Sequence, residues 1–485
     1  MGHRLLPAHG LAVCVFKPGE TTTVDLVNIC VQRIAKHKHQ GLKLNAVIST
    51  LPILSAITQA KFLDEERATN GPRSRLHGIP VILKASPPRI ACTDIMVTGS
   101  CGLETTSGSF ALKGLKTTKD ATIATLLKQA GGIVIEKSNL SEWVNSKGAG
   151  VTSGWSAVGG QTHSPYVQGG IDLSDRWMGH STPAWSSSGS AVATVAGFAP
   201  VYIGTEADGS TVQPAIRAAL YSIKGTVGDV DMFGTQSGGA AFDSAGPIAK
   251  TPEDCTDFMD VLLPGRDFRS YLKKSRKGIE IADLNYDTWQ FLDAVCEKTP
   301  AIDEPHKLAM EEAMRKVERL GAKVALNAPL MAIANITKSY KTVEQGQIAR
   351  HQLAPSMKKY LALFDDPAMK TLSDVVEFSQ RHASTELPPD HPNQEVLENG
   401  LRDDMSDDEY NQGLKHLRQS VRDAVELLLG ETGADVIMAP GESMLPSIAA
   451  TAGYPIANVP LGFSYHNGAF WHGNHGAKRP RRKAV

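Results

Sequence analysis

The chain lacks any pair of cysteines two residues apart; its six cysteines, Cys14, Cys30, Cys92, Cys101, Cys255 and Cys296, are scattered along 485 residues. That spacing excludes a zinc ribbon or a CxxC redox site and offers no disulfide framework, so the thiols are expected to be reduced, as in the cytoplasm. An excess of charge of one sign is missing too: 50 Lys and Arg stand against 51 Asp and Glu, a net charge of −1. This balance excludes a global electrostatic footprint for nucleic acid or for an anionic membrane, and neither partner is expected. No apolar run approaches the roughly 18–20 residues of a membrane helix. The apolar stretch at residues 11–16 is short and ends at Lys17, so no signal peptide is expected. The fifteen histidines are dispersed, and His37 and His39 read as a solvated helix end rather than a ligand pair, so neither a metal nor another cofactor is expected.

What the chain has is enough apolar material, 41% of its residues, for a large core. Residues 25–36 and 120–130 carry helical spacing, with Leu26, Ile29 and Ile34 in the first and Ile123, Leu126 and Leu127 in the second. Gly131 and Gly132 close the second helix, and Ile133-Val134-Ile135 follows as a short buried strand. Helix, glycine, β-branched run is the repeating unit of a parallel sheet, so the fold class is α/β. Residues 191–196 read as a buried helix of small residues, and Val201-Tyr202-Ile203 as a strand. From about 283 to 424 the chain turns charged and helical, with an Asp/Glu/Pro-rich exposed loop expected at 386–409. The end, 464–485, has basic residues at 478, 479, 481, 482 and 483. It reads as a solvated disordered tail, with a nuclear-localisation or anion-binding patch as the alternative.

Three segments carry chemistry: Gly78-Ile79-Pro80-Val81-Ile82-Leu83-Lys84, Trp185-Ser186-Ser187-Ser188-Gly189-Ser190 and Gly204-Thr205-Glu206-Ala207-Asp208-Gly209-Ser210. Singly they are ambiguous. The first reads as a strand ending in a solvated lysine, the second as a flexible loop, the third as a strand exit or an anion-binding nest. In order, they set out the parts of a hydrolase. A serine hydroxyl needs a neighbouring base near neutral pH. A desolvated lysine serves, because burial disfavours its charged form, and a second serine can relay the proton. Gly209 and Ala207 permit a tight turn whose N–H groups, from Ala207, Asp208, Gly209 and Ser210, can converge on one carbonyl oxygen as an oxyanion hole.

The ordered set resembles the amidase signature family. The resemblance runs through Leu44-Asn45-Ala46-Val47-Ile48, Asn139-Leu140-Ser141-Glu142-Trp143, Gly154-Trp155-Ser156 and Gly159-Gly160-Gln161-Thr162. It continues with the serine loop, Asp243-Ser244-Ala245-Gly246-Pro247 and Ala452-Gly453-Tyr454-Pro455. It implies one large amidase-signature fold over residues 1–463, a central mixed β-sheet covered by helices on both faces, with 283–424 covering the substrate. By position, Lys84 is the implied base, Ser186 the bridging serine entered by a cis peptide, and Ser210 the acylated nucleophile. Ser186 and Ser210 are 24 residues apart (210 minus 186), the family's usual spacing. The implied reaction is hydrolysis of a small carboxamide through an acyl-enzyme. Val212 stands where carboxylate-binding relatives have arginine, so a neutral amide is expected. The GTE-x-DGS form resembles fungal and bacterial amidases, some of which sit among secondary-metabolite genes.

The chain also departs from the pattern. Ala85 follows the lysine in place of an acidic residue, and Ala184-Trp185 stands where a glycine normally precedes the bridging serine. Residues 167–180 make a longer connection than related sequences carry, and after Phe463 the chain does not continue into the strand and helix of relatives. Two readings stay open: an active amidohydrolase, or a degenerate member that binds or scaffolds. The amidase component of a tRNA-dependent amidotransferase fits less well, because no tRNA-docking extension is found. A homodimer is left open.

Overall fold

The computed structural model describes residues 21–83, 104–117, 119–167, 169–172, 175, 178–272, 275–331 and 343–462. Lys84, Ala85 and the basic tail lie outside these residues. Twelve described strands are β1 (Val47–Thr50), β2 (Pro80–Leu83), β3 (Ile133–Ser138), β4 (Trp155–Ser156), β5 (Gly160–Gln161), β6 (Val201–Glu206), β7 (Tyr221–Lys224), β8 (Ser244–Ala249), β9 (Glu280–Leu284), β10 (Lys323–Ala328), β11 (Val436–Met438) and β12 (Ile456–Asn458). Seven form one mixed sheet in the order β1-β3-β2-β6-β8-β7-β12. The β3-β2 and β2-β6 pairs are parallel and the other pairs antiparallel.

β3, β6 and β8 are buried at every residue. A strand open to water on one side alternates in burial, so this uniform burial means the sheet is covered on both faces. Part of the cover is the helix Ser188–Ala196, which is almost wholly buried. Its small residues allow close approach: a Cβ on Gly189 would meet the carbonyl oxygens of Asn139 and Ala46.

The helices expected near 25–36 and 120–130 are Thr23–His37 and Thr122–Gln129. The first starts at a capping box in which the Thr22 and Asp25 side chains each bind the other's backbone N–H. Its buried stripe is Thr23, Leu26, Val27, Cys30 and Ile34, whereas Ile29 is 39% exposed. The stripe follows the i, i+4 row 26-30-34, which turns Ile29 outward.

The 283–424 stretch supplies the helices Pro300–Arg319, Gln345–Leu361, Leu372–Arg381 and Asp407–Thr432. It also supplies β10, which pairs in parallel with β9 in a second sheet ordered β10-β9-β11. Residues 386–409 differ from the expected exposed loop. They include the helix Glu395–Leu401, with Leu397 fully buried, and Glu386 is buried because its carboxylate has partners. No helix among the described residues is long and apolar enough to cross a membrane.

Candidate active site

β6 delivers the turn 207–210. Gly209 takes φ +78°, a conformation that L side chains rarely adopt, and the short helix Val212–Arg217 follows. The Glu206 carboxylate at the strand end accepts the N–H groups of Thr211 (2.7 Å) and Val212 (3.0 Å), folding the turn back on its strand. The serine loop is stitched alongside: Ser187 N–H donates to the Ser210 carbonyl (3.2 Å) and Ser187 Oγ to that of Thr205 (3.3 Å). Ser186, Ser210, Ala207 and Asp208 therefore line one cavity of about 210 Å³, together with Trp185 and Asp243. Gly209 lies against the Trp185 indole. Lys84 falls outside the described residues; the strand before it, β2, pairs with β6 through Leu83 and Ile203.

The approach to Ser186 uses an uncommon backbone. Ala184 and Trp185 take φ +58° and +36°, and the peptide bond into Ser186 is trans, where the resemblance implied cis. Across the cavity, Trp143, Val144 and Asn145 take φ +52°, +52° and +71°, and Val144 and Asn145 line it. Non-glycine residues in this region cost of the order of 1–3 kcal/mol each and persist only where the surroundings over-determine them.

Here the surroundings are the Asn139-Leu140-Ser141-Glu142-Trp143 segment, whose role sequence reasoning missed. Ser141 Oγ donates to the Trp185 carbonyl (2.9 Å) and accepts the Gly154 N–H (2.8 Å), while Ser141 N–H donates to the Ser186 carbonyl (3.3 Å). The Asn139 amide binds the Gly160 carbonyl (2.9 Å) and Thr162 Oγ1 (3.0 Å). The buried Lys147 ammonium pairs with Glu142 and with Glu386 (3.0 Å), tying the 142–147 turn to the helical region. The signal was the resemblance itself, which included this segment but assigned it no task.

Burial pushes the Asp208 carboxyl up to about 6, although hydrogen bonds from Ser447 Oγ (2.7 Å) and Gln345 Nε2 (3.1 Å) pull it back. Burial lowers the nearby Lys224 ammonium, against the pull of Glu206, Asp208 and Asp243. Asp243 also borders a larger cavity of about 720 Å³, lined in part by Ser356, Lys359 and Tyr360 of the helix Gln345–Leu361. The arrangement puts Ser186, Ser210 and the turn residues Ala207 and Asp208 at the wall of a small chamber, next to a space of the size that binds small molecules.

The family model described as Amidase matches residues 25–463. A probable amidase of Arabidopsis thaliana is 30% identical over 450 residues, covering 92% of this chain and 82% of that protein. A putative amidase of Schizosaccharomyces pombe is 26% identical over 487 residues, covering 92% of this chain and 77% of that one. Among solved structures, native peptide amidase from Stenotrophomonas maltophilia superposes with a TM-score of 0.77 at 28% identity, covering 94% of this chain and 91% of that chain. The match spans the sheet, the serine loop and the 207–210 turn together, and the chain belongs to the amidase family.

Proposed function

We propose that this amidase hydrolyses a small carboxamide through an acyl-enzyme on Ser210. Ser210 Oγ attacks the carbonyl carbon as its proton passes through Ser186 to Lys84. The backbone N–H groups of Ala207, Asp208, Gly209 and Ser210 hold the oxyanion. The relay returns the proton to the departing nitrogen, which leaves as amine or ammonia, and water repeats the sequence to release the acid. The observation that supports this reading is the meeting of Ser186 and Ser210 at one cavity, with Ser187 bonded to the Ser210 carbonyl.

In this reading residues 1–463 act as one unit, and the 283–424 region covers the substrate: Gln345 reaches Asp208, and its helix lines the larger space. Val212 leaves no arginine at that position for a substrate carboxylate, which favours a neutral amide. The peptide amidase likeness adds peptide amides to the substrates worth screening. The described cysteines, Cys30, Cys255 and Cys296, are free and buried, which fits the cytoplasm. A place in secondary metabolism rests on likeness to fungal and bacterial amidases alone.

The test is labelling with a serine-reactive fluorophosphonate, read by intact mass, beside Ser210→Ala and Lys84→Ala. Labelling of the wild type and loss in both variants is the expected result. Folded wild-type protein that does not label overturns the reading in favour of a non-catalytic binding protein.

A further inference from the structure

His180, Cys296 and Glu442 come from three distant segments: the long connection before Ser186, the loop after Trp289, and the loop after β11. Their ligand atoms converge. His180 Nδ1 lies 3.4 Å from Glu442 Oε2, and Cys296 Sγ lies 3.7 Å from Nδ1 and 3.9 Å from Oε2. The edges of a tetrahedral site with zinc's usual bond lengths to S, N and O are about 3.3–3.6 Å, so the triangle is within a few tenths of an ångström of one.

The partners of each group fit a cation between them. His180 Nε2 is 3.1 Å from the Glu297 carbonyl, which only accepts, so Nε2 carries a hydrogen, and in the tautomer that leaves Nδ1 bare this nitrogen faces a carboxylate oxygen. Two acceptors so placed repel unless a proton or a metal ion lies between them. A metal-bound histidine whose other nitrogen donates to a carbonyl is the usual arrangement around such ions. Arg217 occupies the other carboxylate oxygen of Glu442, leaving Oε2 toward the site, and places Nη2 3.7 Å from Cys296 Sγ. Asp175 stands in electrostatic contact with both Arg217 and Cys296. With a divalent ion bound and Cys296 ionised, Asp175, Glu442 and the thiolate balance the ion and Arg217. The sulfur stands almost equidistant from both ring nitrogens, at 3.7 and 3.6 Å, so ligation brings it slightly toward the Nδ1 side.

We infer that His180, Cys296 and Glu442 form a binding site for a divalent transition metal ion of zinc's ligand preference, separate from the proposed nucleophile. Binding forms a sulfur–metal bond as the Cys296 thiol releases its proton to water. The ion would be a clamp, not a reagent. Arg217 already holds the carbonyls of Met178 (3.0 Å), Gly179 (2.7 Å) and Thr182 (3.1 Å), and the metal would pin the same segment, six residues before Ser186, to the 296 and 442 loops.

The experiment uses purified full-length protein freed of metal with EDTA and titrated with Co²⁺. The expected result is one equivalent per chain with a near-ultraviolet thiolate-to-cobalt absorption, displaced by Zn²⁺ and lost in Cys296→Ser. His180→Ala, a change at a side chain 12% exposed to solvent, should weaken Co²⁺ binding at least tenfold. Zn²⁺ should raise the melting temperature of the wild type and of neither variant. An imidazolium–carboxylate pair without metal predicts no such absorption, and that result overturns the proposal. So does Co²⁺ binding to His180→Ala as tight as to the wild type, which keeps the test decisive even if Cys296→Ser does not fold.

Discussion

Gly209 turns its bare Cα into the Trp185 indole: a Cβ there would overlap Nε1, and φ is +78° besides. The residue that departs from the family pattern before Ser186 is therefore accommodated by the glycine that shapes the turn before Ser210. Gly209→Ala must displace the indole and strain the backbone together. Displacement on this scale costs reaction rates about 100-fold, and the fluorophosphonate labelling rate is expected to fall at least that far. Trp185→Ala combined with Gly209→Ala should recover part of the rate, because the clash goes while the φ strain stays. Strict additivity of the two changes would show that the contact does not couple them.

Ser141 holds the loop that presents Ser186. Ser141→Ala deprives the Trp185 carbonyl and the Gly154 N–H of this partner inside the protein. The loss expected is about 1–3 kcal/mol in denaturant unfolding. Labelling of Ser210 should slow by between about tenfold and 100-fold. An unchanged labelling rate in a destabilised protein would limit Ser141 to a structural part.

Lys147 is a buried cation between two buried carboxylates, Glu142 and Glu386. Lys147→Met removes the cation from between them, leaving only hydrogen bonds from neutral groups to balance each charge, and the expected cost is about 3–5 kcal/mol at pH 7. Burial already raises the Glu142 carboxyl well above the usual range, against the opposing pull of Lys147. Without that pull it takes a proton more readily, so the deficit should shrink as the pH falls from 7 toward 5. Denaturant midpoints of wild type and variant at the two pH values check this.

Asp208, held near 6 by burial, gives the stability curve a sign. Between about pH 4 and 6 the folded chain binds more protons at this site than the unfolded chain does. Its contribution is complete below the unfolded value and is lost as the pH rises through 6. Asp208→Asn cannot titrate, so its unfolding midpoint should fall less than that of the wild type across this window. Parallel curves for the two proteins would refute the assignment.

Local pattern carried much of the fold. The helices Thr23–His37 and Thr122–Gln129 and the strands β3 and β6 follow from apolar period and glycine punctuation. The same helix–glycine–strand unit recurs at the end of the helix Pro300–Arg319, where Gly321 precedes β10, but the surrounding charge disguised it as helix. Ile29 was misplaced because a spacing of three or four marks a face only to within a fraction of a turn. Of the residues that the motifs singled out, Ser186, Ser210, Ala207 and Asp208 line one cavity, while Gly209 is not among its lining residues and Lys84 lies outside the described residues. Asp243 and Asn145 were illegible as wall residues, and so were the bonds from Gln345 and Ser447 to Asp208, which span 137 and 239 positions of chain.

By itself the sequence determined the α/β class, the order of sheet-building units and the two serine segments, because period, glycine placement and short motifs act within a few residues. The tertiary structure alone decided that Trp185 packs on Gly209, that Ser141 braces the serine loop, and that Lys147 joins the 142–147 turn to Glu386. It also gathered His180, Cys296 and Glu442, which dispersed sequence positions had concealed. These are contacts between side chains far apart along the chain, set by how the sheet and its helices pack and by the cost of leaving a buried charge or polar group unpaired.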